Sequence, residues 1–324
     1  MRRGAGHVGA TGRVGGRVAG IAVTLLGASL WGLSGACAQW LFAHASVSPL
    51  FVTAVRMIAA GLLFLALLEL RQPQVVRRML ADRETRRQLV TFGCGGLYLC
   101  QVTYVASVGL TNAGTATVLQ SLGSALILAG ACVRGRRLPR AREGVGLVCA
   151  LAATALVATG GDPRALAIPP AGLAMGLANA LTVAVYVTYP RRLFARWGSL
   201  PVTGLGMLAG GVLAATVLVV ASVPGLLAAD VSRVPLVPLG LGPRGVAMLG
   251  VIAVVGTFAA FGLYLHGVSV VGGVMGGLLG CAEPVSASVL SALWLGTPFV
   301  AADWAGLVLM IAMTVLISLP ERRR

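Results

Sequence analysis

The stretch Gly-Gly-Val-Met-Gly-Gly-Leu-Leu-Gly-Cys-Ala-Glu-Pro-Val-Ser-Ala-Ser-Val-Leu, residues 272–290, carries the residues best placed to do chemistry. Its Glu283 is the one acidic residue far from either end of an apolar run. A carboxylate near the middle of a bilayer costs roughly 2.5–3.5 kcal/mol or more, so such a group is expected to face a bundle interior or a wet cavity. The competing reading is a protonated or structurally paired Glu. Pro284 follows directly; it lacks a backbone donor, so a helix break is expected there. Gly272, Gly276 and Gly280 form one strip of small residues, and Gly273 and Gly277 an adjoining one. Such strips let helices pack backbone to backbone, within one bundle or between two copies of a homodimer.

Arg56 is the second informative residue. It lies about seven residues, or about 10 Å, into an apolar run. It could hold a substrate carboxylate or close an ion pair; the competing reading is snorkelling to the headgroups. Around these two charges, Trp31, Gln101, Tyr104, Gln120, Asn179, Tyr186 and Tyr264 are candidates for the wall of a polar cavity. Gln101 and Tyr104 are three apart and share a helix face. Buried amides and hydroxyls need partners in lipid, which cargo, water or a neighbouring helix can supply. Taken singly, each is more often structural; the set carries the argument.

The elements that must position these residues follow from composition. The chain has 324 residues, 57% of them hydrophobic and 10% charged, with mean hydropathy +0.92. A soluble protein cannot hide that much apolar surface; an all-α integral membrane protein can. Ten transmembrane helices are read at about 19–42, 49–70, 88–109, 113–133, 143–160, 170–190, 201–222, 245–267, 272–295 and 301–319. The first is too long for a signal-peptide core. Residues 1–18 read as a basic flexible tail and 320–324 as a second basic tail.

The net charge of +16 comes from 25 basic residues, all Arg. They cluster between the spans, so nucleic acid is not an expected partner. With both termini in the cytoplasm, 21 Arg fall in inside segments and three, Arg164, Arg233 and Arg244, in outside loops. That bias fixes the expected orientation in a bacterial inner membrane. The six cysteines lie in apolar spans without a Cys-x-x-Cys pair, and the three His are far apart in sequence. No metal site, cofactor or hydrolase motif is expected, and without Lys there is no Walker-type phosphate loop. An enzyme is therefore not the expected class.

The chain also repeats. Offset by 160 residues, spans three to five fall on eight to ten with ten identities over positions 104–158, including Tyr104 on Tyr264 and Gly146-Leu147-Val148 on Gly306-Leu307-Val308. Offset by 152, the first two spans meet the sixth and seventh. Arg-rich 134–142 has Arg-free 294–302 as its counterpart, and Arg-poor 43–48 has a counterpart beside Arg191, Arg192 and Arg196. Two inverted five-helix repeats, 19–160 and 170–319, explain both reversals and suit a secondary transporter with a midplane site.

The segments LLGASLWGLSGACAQWLF and SPLFVTAVR, then TYVASVGLTNAGTATVLQSL, and the Glu283-Pro284 pair resemble the EamA family of the drug/metabolite transporter superfamily. The resemblance covers the chain after about residue 18. It implies ten helices in two inverted halves around a central cavity, and alternating access for small solutes. Two departures stand out. A Leu-Gly-Glu often found late in the fourth or ninth span is replaced by Arg134-Gly135-Arg136-Arg137 and Leu295-Gly296-Thr297, and a fourth-span Pro is absent, with Gly123-Ser124 opposite Glu283-Pro284. The expected function is export of a small metabolite, such as an amino acid or related compound, with protons as the candidate coupling ion. Drug efflux or solute uptake by the same fold is the alternative. A non-transporting receptor or assembly protein is the alternative from another class.

Overall fold

The computed structural model describes residues 8–223, 238 and 240–318, with side chains from residue 16 onward. Among them, ten helices are long and apolar enough to cross a membrane. They are α1 (Val8–His44), α2 (Pro49–Arg71), α3 (Arg83–Leu110), α4 (Ala113–Arg134), α5 (Ala141–Thr159), α6 (Pro170–Thr188), α7 (Ser199–Ala221), α8 (Pro243–Val271), α9 (Gly273–Leu293) and α10 (Ala301–Ser318). The backbone of α1 is helical from Val8, so residues 8–18 continue the first helix where a flexible tail is expected from sequence. Residues 1–7, the 320–324 tail and Arg233 lie outside the described residues.

The packing of the helices is two-fold. α2 packs on α7, α4 on α9 and α5 on α10. α1 packs on α8 and α9 as α6 packs on α3 and α4, and α3 meets α7 as α8 meets α2. Exchanging each helix for the one five places along maps this set onto itself. Five crossings are an odd number, so the second half runs opposite to the first. Local geometry repeats too. α3 widens to i→i+5 turns over Thr91–Tyr98 and α8 over Val251–Ala259, starting at positions that correspond under the 160-residue offset. Such wide turns loosen the backbone ladder and are frequent at functional sites.

The close crossings rest on glycines. A Cβ at Gly32 of α1 would sit 2.6 Å from Ala287 N and 2.7 Å from Glu283 O of α9. One at Gly61 of α2 would sit 2.8 Å from Leu208 N of α7. Neither position has room for a side chain.

The strip in residues 272–280 does something different from the expected packing. Gly272 and Gly273 face open space, Gly277 approaches only Ser318 Oγ at 3.7 Å, and Gly280 approaches the Tyr264 hydroxyl and its own turn. Gly276 alone of the five packs tightly on a neighbouring helix, against Val268 of α8. Gly272, at φ 88°, makes the turn between α8 and α9. The spacing permitted packing, but no facing helix comes close enough to use it. The break in α9 is likewise displaced from Pro284. The helix stops after Leu279 and restarts at Ala282. Pro284 would have donated to the carbonyl of Gly280, four residues back, and cannot. That carbonyl accepts from Glu283 N at 3.0 Å, and Cys281 N turns to Leu278 O at 3.2 Å. Pro284 therefore occupies the first turn of the second half-helix, where no donor is needed.

Candidate functional site

Between the two halves lies a cavity of about 430 Å³. Glu283, beside the break in α9, projects into it. Its Oε1 accepts a hydrogen bond from Gln120 Nε2 of α4 at 2.9 Å. α4 and α9 are counterparts in the repeat, so the one polar bond between them joins the two halves at the cavity.

Arg56 also lines the cavity and is only 4% exposed. It is turned inward rather than snorkelling. Its Nε donates to Thr257 Oγ1 at 3.1 Å, and Thr257 in turn donates to Ile252 O at 2.7 Å. Ile252 and Thr257 both belong to the wide-turn segment of α8. The loosened turn thus supplies the acceptor that aims the guanidinium. Arg56 makes no ion pair with Glu283, and the two charges face the same space separately. Among the described residues, the hydrogen bond of Arg56 is made by its Nε alone.

Aromatic residues form the rest of the wall. Trp31 packs against Phe261 with ring centres 4.8 Å apart and against Tyr264 at 4.6 Å. Tyr264 donates to Gly276 O at 3.0 Å, which ties α8 to the first half of α9. Tyr104 and Tyr186 complete the aromatic lining. Trp31 Nε1, Gln101 Nε2 and the Tyr104 hydroxyl are buried and have no protein partner. Buried donors without partners are costly, and these three belong to residues of the cavity wall.

Of the residues expected from sequence, Glu283, Arg56, Trp31, Gln101, Tyr104, Gln120, Tyr186 and Tyr264 all meet at this one cavity, together with Pro284. Asn179 does not. Its Nδ2 donates to Cys100 O at 2.8 Å and Thr103 Oγ1 at 3.1 Å, which ties α6 to α3. It does the interhelical work that a buried amide in lipid usually does. Gly273, Gly277 and Gly280 line the cavity, leaving room where side chains would fill it. Residues not singled out from sequence are Cys100, Ser124, Phe261 and Thr314, which also line it, and Thr257, which positions Arg56. Thr314 is the repeat counterpart of Thr154, an identity visible in the sequence.

The profile of the EamA-like transporter family matches this chain over residues 18–159 and again over 170–319. The chain belongs to that family. A relative from Salmonella typhimurium, described as an uncharacterized inner membrane transporter YicL, is 32% identical over 305 residues, covering 94% of this chain and 97% of its own. A solved crystal structure, 20% identical, superposes with a TM-score of 0.59 over 93% of this chain and 95% of that one, which supports the fold alone. As an EamA-like transporter of the drug/metabolite superfamily, the chain is a multi-pass membrane carrier and not an enzyme. The two family matches fall on the two five-helix halves, and the cavity lies between them.

Proposed function

We propose that this EamA-like protein is a secondary transporter that carries a small, polar or amphipathic metabolite through the central cavity by alternating access. The observation that supports this most is the pair of separate charges in one enclosed space. Arg56 offers guanidinium nitrogens, and Glu283 offers a carboxylate beside a helix break. A zwitterion such as an amino acid, or a related carboxylate with an apolar arm, suits a cavity that has both charges and an aromatic wall. In this reading Arg56 holds the anionic group, and Glu283 alternately holds a proton and the cargo. Rocking of the two halves about the cavity exposes it to each side in turn.

The inner membrane is the expected location, as in the description of the Salmonella relative. The Arg distribution supports a cytoplasmic position for both termini. A cavity of about 430 Å³ suits a small solute, and export is the direction that accords with the family resemblance.

The test is untargeted metabolite analysis of medium from cells expressing the protein, Glu283→Gln or an empty vector, at equal membrane levels. A compound enriched outside with the wild type alone supports export through Glu283. Profiles identical to the empty vector remove export, and uptake into proteoliposomes then decides whether the protein transports at all.

A further inference from the structure

The cavity reaches toward one end of the bundle, and the other end is closely packed. Its lining on α9 runs from Gly273 to Pro284, on α4 from Gln120 to Ile127, and on α10 is Thr314. Gly273, Gly277, Ile127 and Thr314 lie toward the end that carries the α8–α9 turn and the Arg-rich connections, whereas Gln120, Glu283 and Pro284 lie deeper in the bundle. Toward the opposite end, Ser34, Cys37, Ala38, Ala113, Ala287 and Ser288 are all buried, and Cys37, Ala38, Ala113 and Ala287 pack in one cluster.

One side chain ties that packed end together. Gln39, near the end of α1, donates from Nε2 to Thr297 Oγ1 at 2.8 Å. Its Oε1 accepts from Ala113 N at 2.9 Å and from Ser291 Oγ at 2.9 Å. Ala113 is the first residue of α4, Ser291 lies in the last turn of α9, and Thr297 is in the α9–α10 connection. Thr297 N also donates to Ser291 O at 3.0 Å, which folds that connection back onto α9. Gln39 therefore bonds to both members of the α4–α9 pair at once. These are the same two helices that Gln120 and Glu283 join deeper in the bundle.

An amide suits this position because it offers a donor and a two-bond acceptor on one planar group. The Arg-rich end has no equivalent. The repeat counterparts of Ser291 and Thr297 are Ala131 and Arg137, and that of Gln39 is Arg191. Arg137 instead forms an ion pair with Glu143. The bonds are thus peculiar to one end, and α4 and α9 cannot part from α1 there without breaking them.

We infer that Gln39 is a positioning residue of the transport cycle: its three-way hydrogen-bonded latch holds closed the end of the pathway remote from the Arg-rich loops. The inference rests on the alternating-access reading, and its test needs no knowledge of the cargo. Cys281 lines the cavity. A protein that keeps Cys281 as its sole cysteine is labelled with a membrane-impermeant maleimide, in vesicles of each orientation. With Gln39 in place, labelling is fast from the Arg-rich face and slow from the sealed face.

Gln39→Leu is expected to raise the rate from the sealed face by about tenfold or more, the size that losing two or three net hydrogen bonds from one state produces. Thr297→Val, which removes one bond, is expected to give a smaller rise in the same direction, and it stands in if Gln39→Leu does not reach the membrane. Gln39→Glu, which keeps the acceptor, is expected to fall between the wild type and Gln39→Leu. Unfolding temperatures in detergent separate a shifted equilibrium from a damaged fold. If the wild type can be labelled from both faces under opposite pH gradients, and Gln39→Leu and Thr297→Val match it, the latch is wrong while alternating access stands. If every protein is labelled from one face only, whatever the gradient, both readings fail.

Discussion

α4 and α9 occupy corresponding places in the two halves, yet they differ where they meet the cavity. α4 is unbroken from Ala113 to Arg134, whereas α9 stops after Leu279 and restarts at Ala282. Under the 160-residue offset, Gln120 corresponds to Gly280 and Glu283 to Gly123. The α4–α6 and α1–α9 crossings, each between the halves, correspond in the repeat, and a small residue makes the close approach on a different member of each pair. At the α4–α6 crossing it is Gly123 of α4, whose Cβ would lie 2.9 Å from Ala180 O of α6. At the α1–α9 crossing it is Gly32 of α1, beside Glu283 O of α9, and the position equivalent to Gly123 carries the Glu283 carboxylate. The repeat thus supplies the shape of the cavity, and unequal positions such as Glu283 on α9 and Arg56 on α2 supply its charges.

The largest expected effect breaks that inequality at its centre. Glu283→Gln removes the carboxylate and leaves two amides facing each other. Proton-driven flux should fall by about 100-fold or more, equivalent to about 2.7 kcal/mol, with membrane insertion unchanged. Arg56→Gln comes next. It removes the group offered to the cargo's anion and should weaken cargo binding by roughly 2–5 kcal/mol in an equilibrium binding assay, with Arg56→Lys retaining part of it.

The glycines sharpen the contrast between packing and lining. Gly32→Ala should destabilise the detergent-solubilised protein by about 1–3 kcal/mol, because backbone atoms of α9 must move. Gly273→Ala, which meets open space, should stay within about 0.5 kcal/mol of wild type in the same unfolding measurement.

The smallest effect lies outside the membrane. Asp82 Oδ2 accepts from Thr85 Oγ1 at 2.6 Å and pairs with Arg196 Nη1 at 2.8 Å, joining the start of α3 to the segment before α7. The Thr85 hydrogen bond first, and then the Arg196 charge, hold the Asp82 carboxyl below the ordinary carboxylate range. Folded-state protonation is therefore harder than unfolded. The stabilisation is complete above the ordinary carboxylate pKa and is lost as pH falls through the lowered one. Asp82→Asn should lower the unfolding temperature slightly at neutral pH, and the gap should close in strong acid.

Much of this was legible in the sequence, for physical reasons. Bilayer thickness sets span length, so ten apolar runs gave ten helices, most within a few residues, although α1 and α3 begin well before the predicted runs. A charge deep in an apolar span has few places to go, so Glu283 and Arg56 pointed to the cavity. Polar identity alone cannot tell a cavity wall from a helix tie, which is why Asn179 was grouped with the lining residues it supports. A glycine strip records only that approach is allowed. Whether a helix takes the place depends on the partner, and for Gly272, Gly273 and Gly277 none does. Gln39 gave no signal, because an amide near a span end is unremarkable until its three partners arrive from α4, α9 and the α9–α10 connection. The wide turns of α3 and α8 have no residue signature in these segments either, and Thr257 matters only because one of them aims it at Arg56.

The most direct test of the central claim, that cargo and proton meet at Glu283, uses proteoliposomes loaded with the compound found enriched in the medium. Exchange of labelled for unlabelled compound is compared with accumulation driven by a pH gradient, for the wild type and Glu283→Gln. The account predicts that the wild type does both and that Glu283→Gln retains exchange but loses the response to the gradient. Gradient-driven accumulation by Glu283→Gln equal to that of the wild type would contradict it.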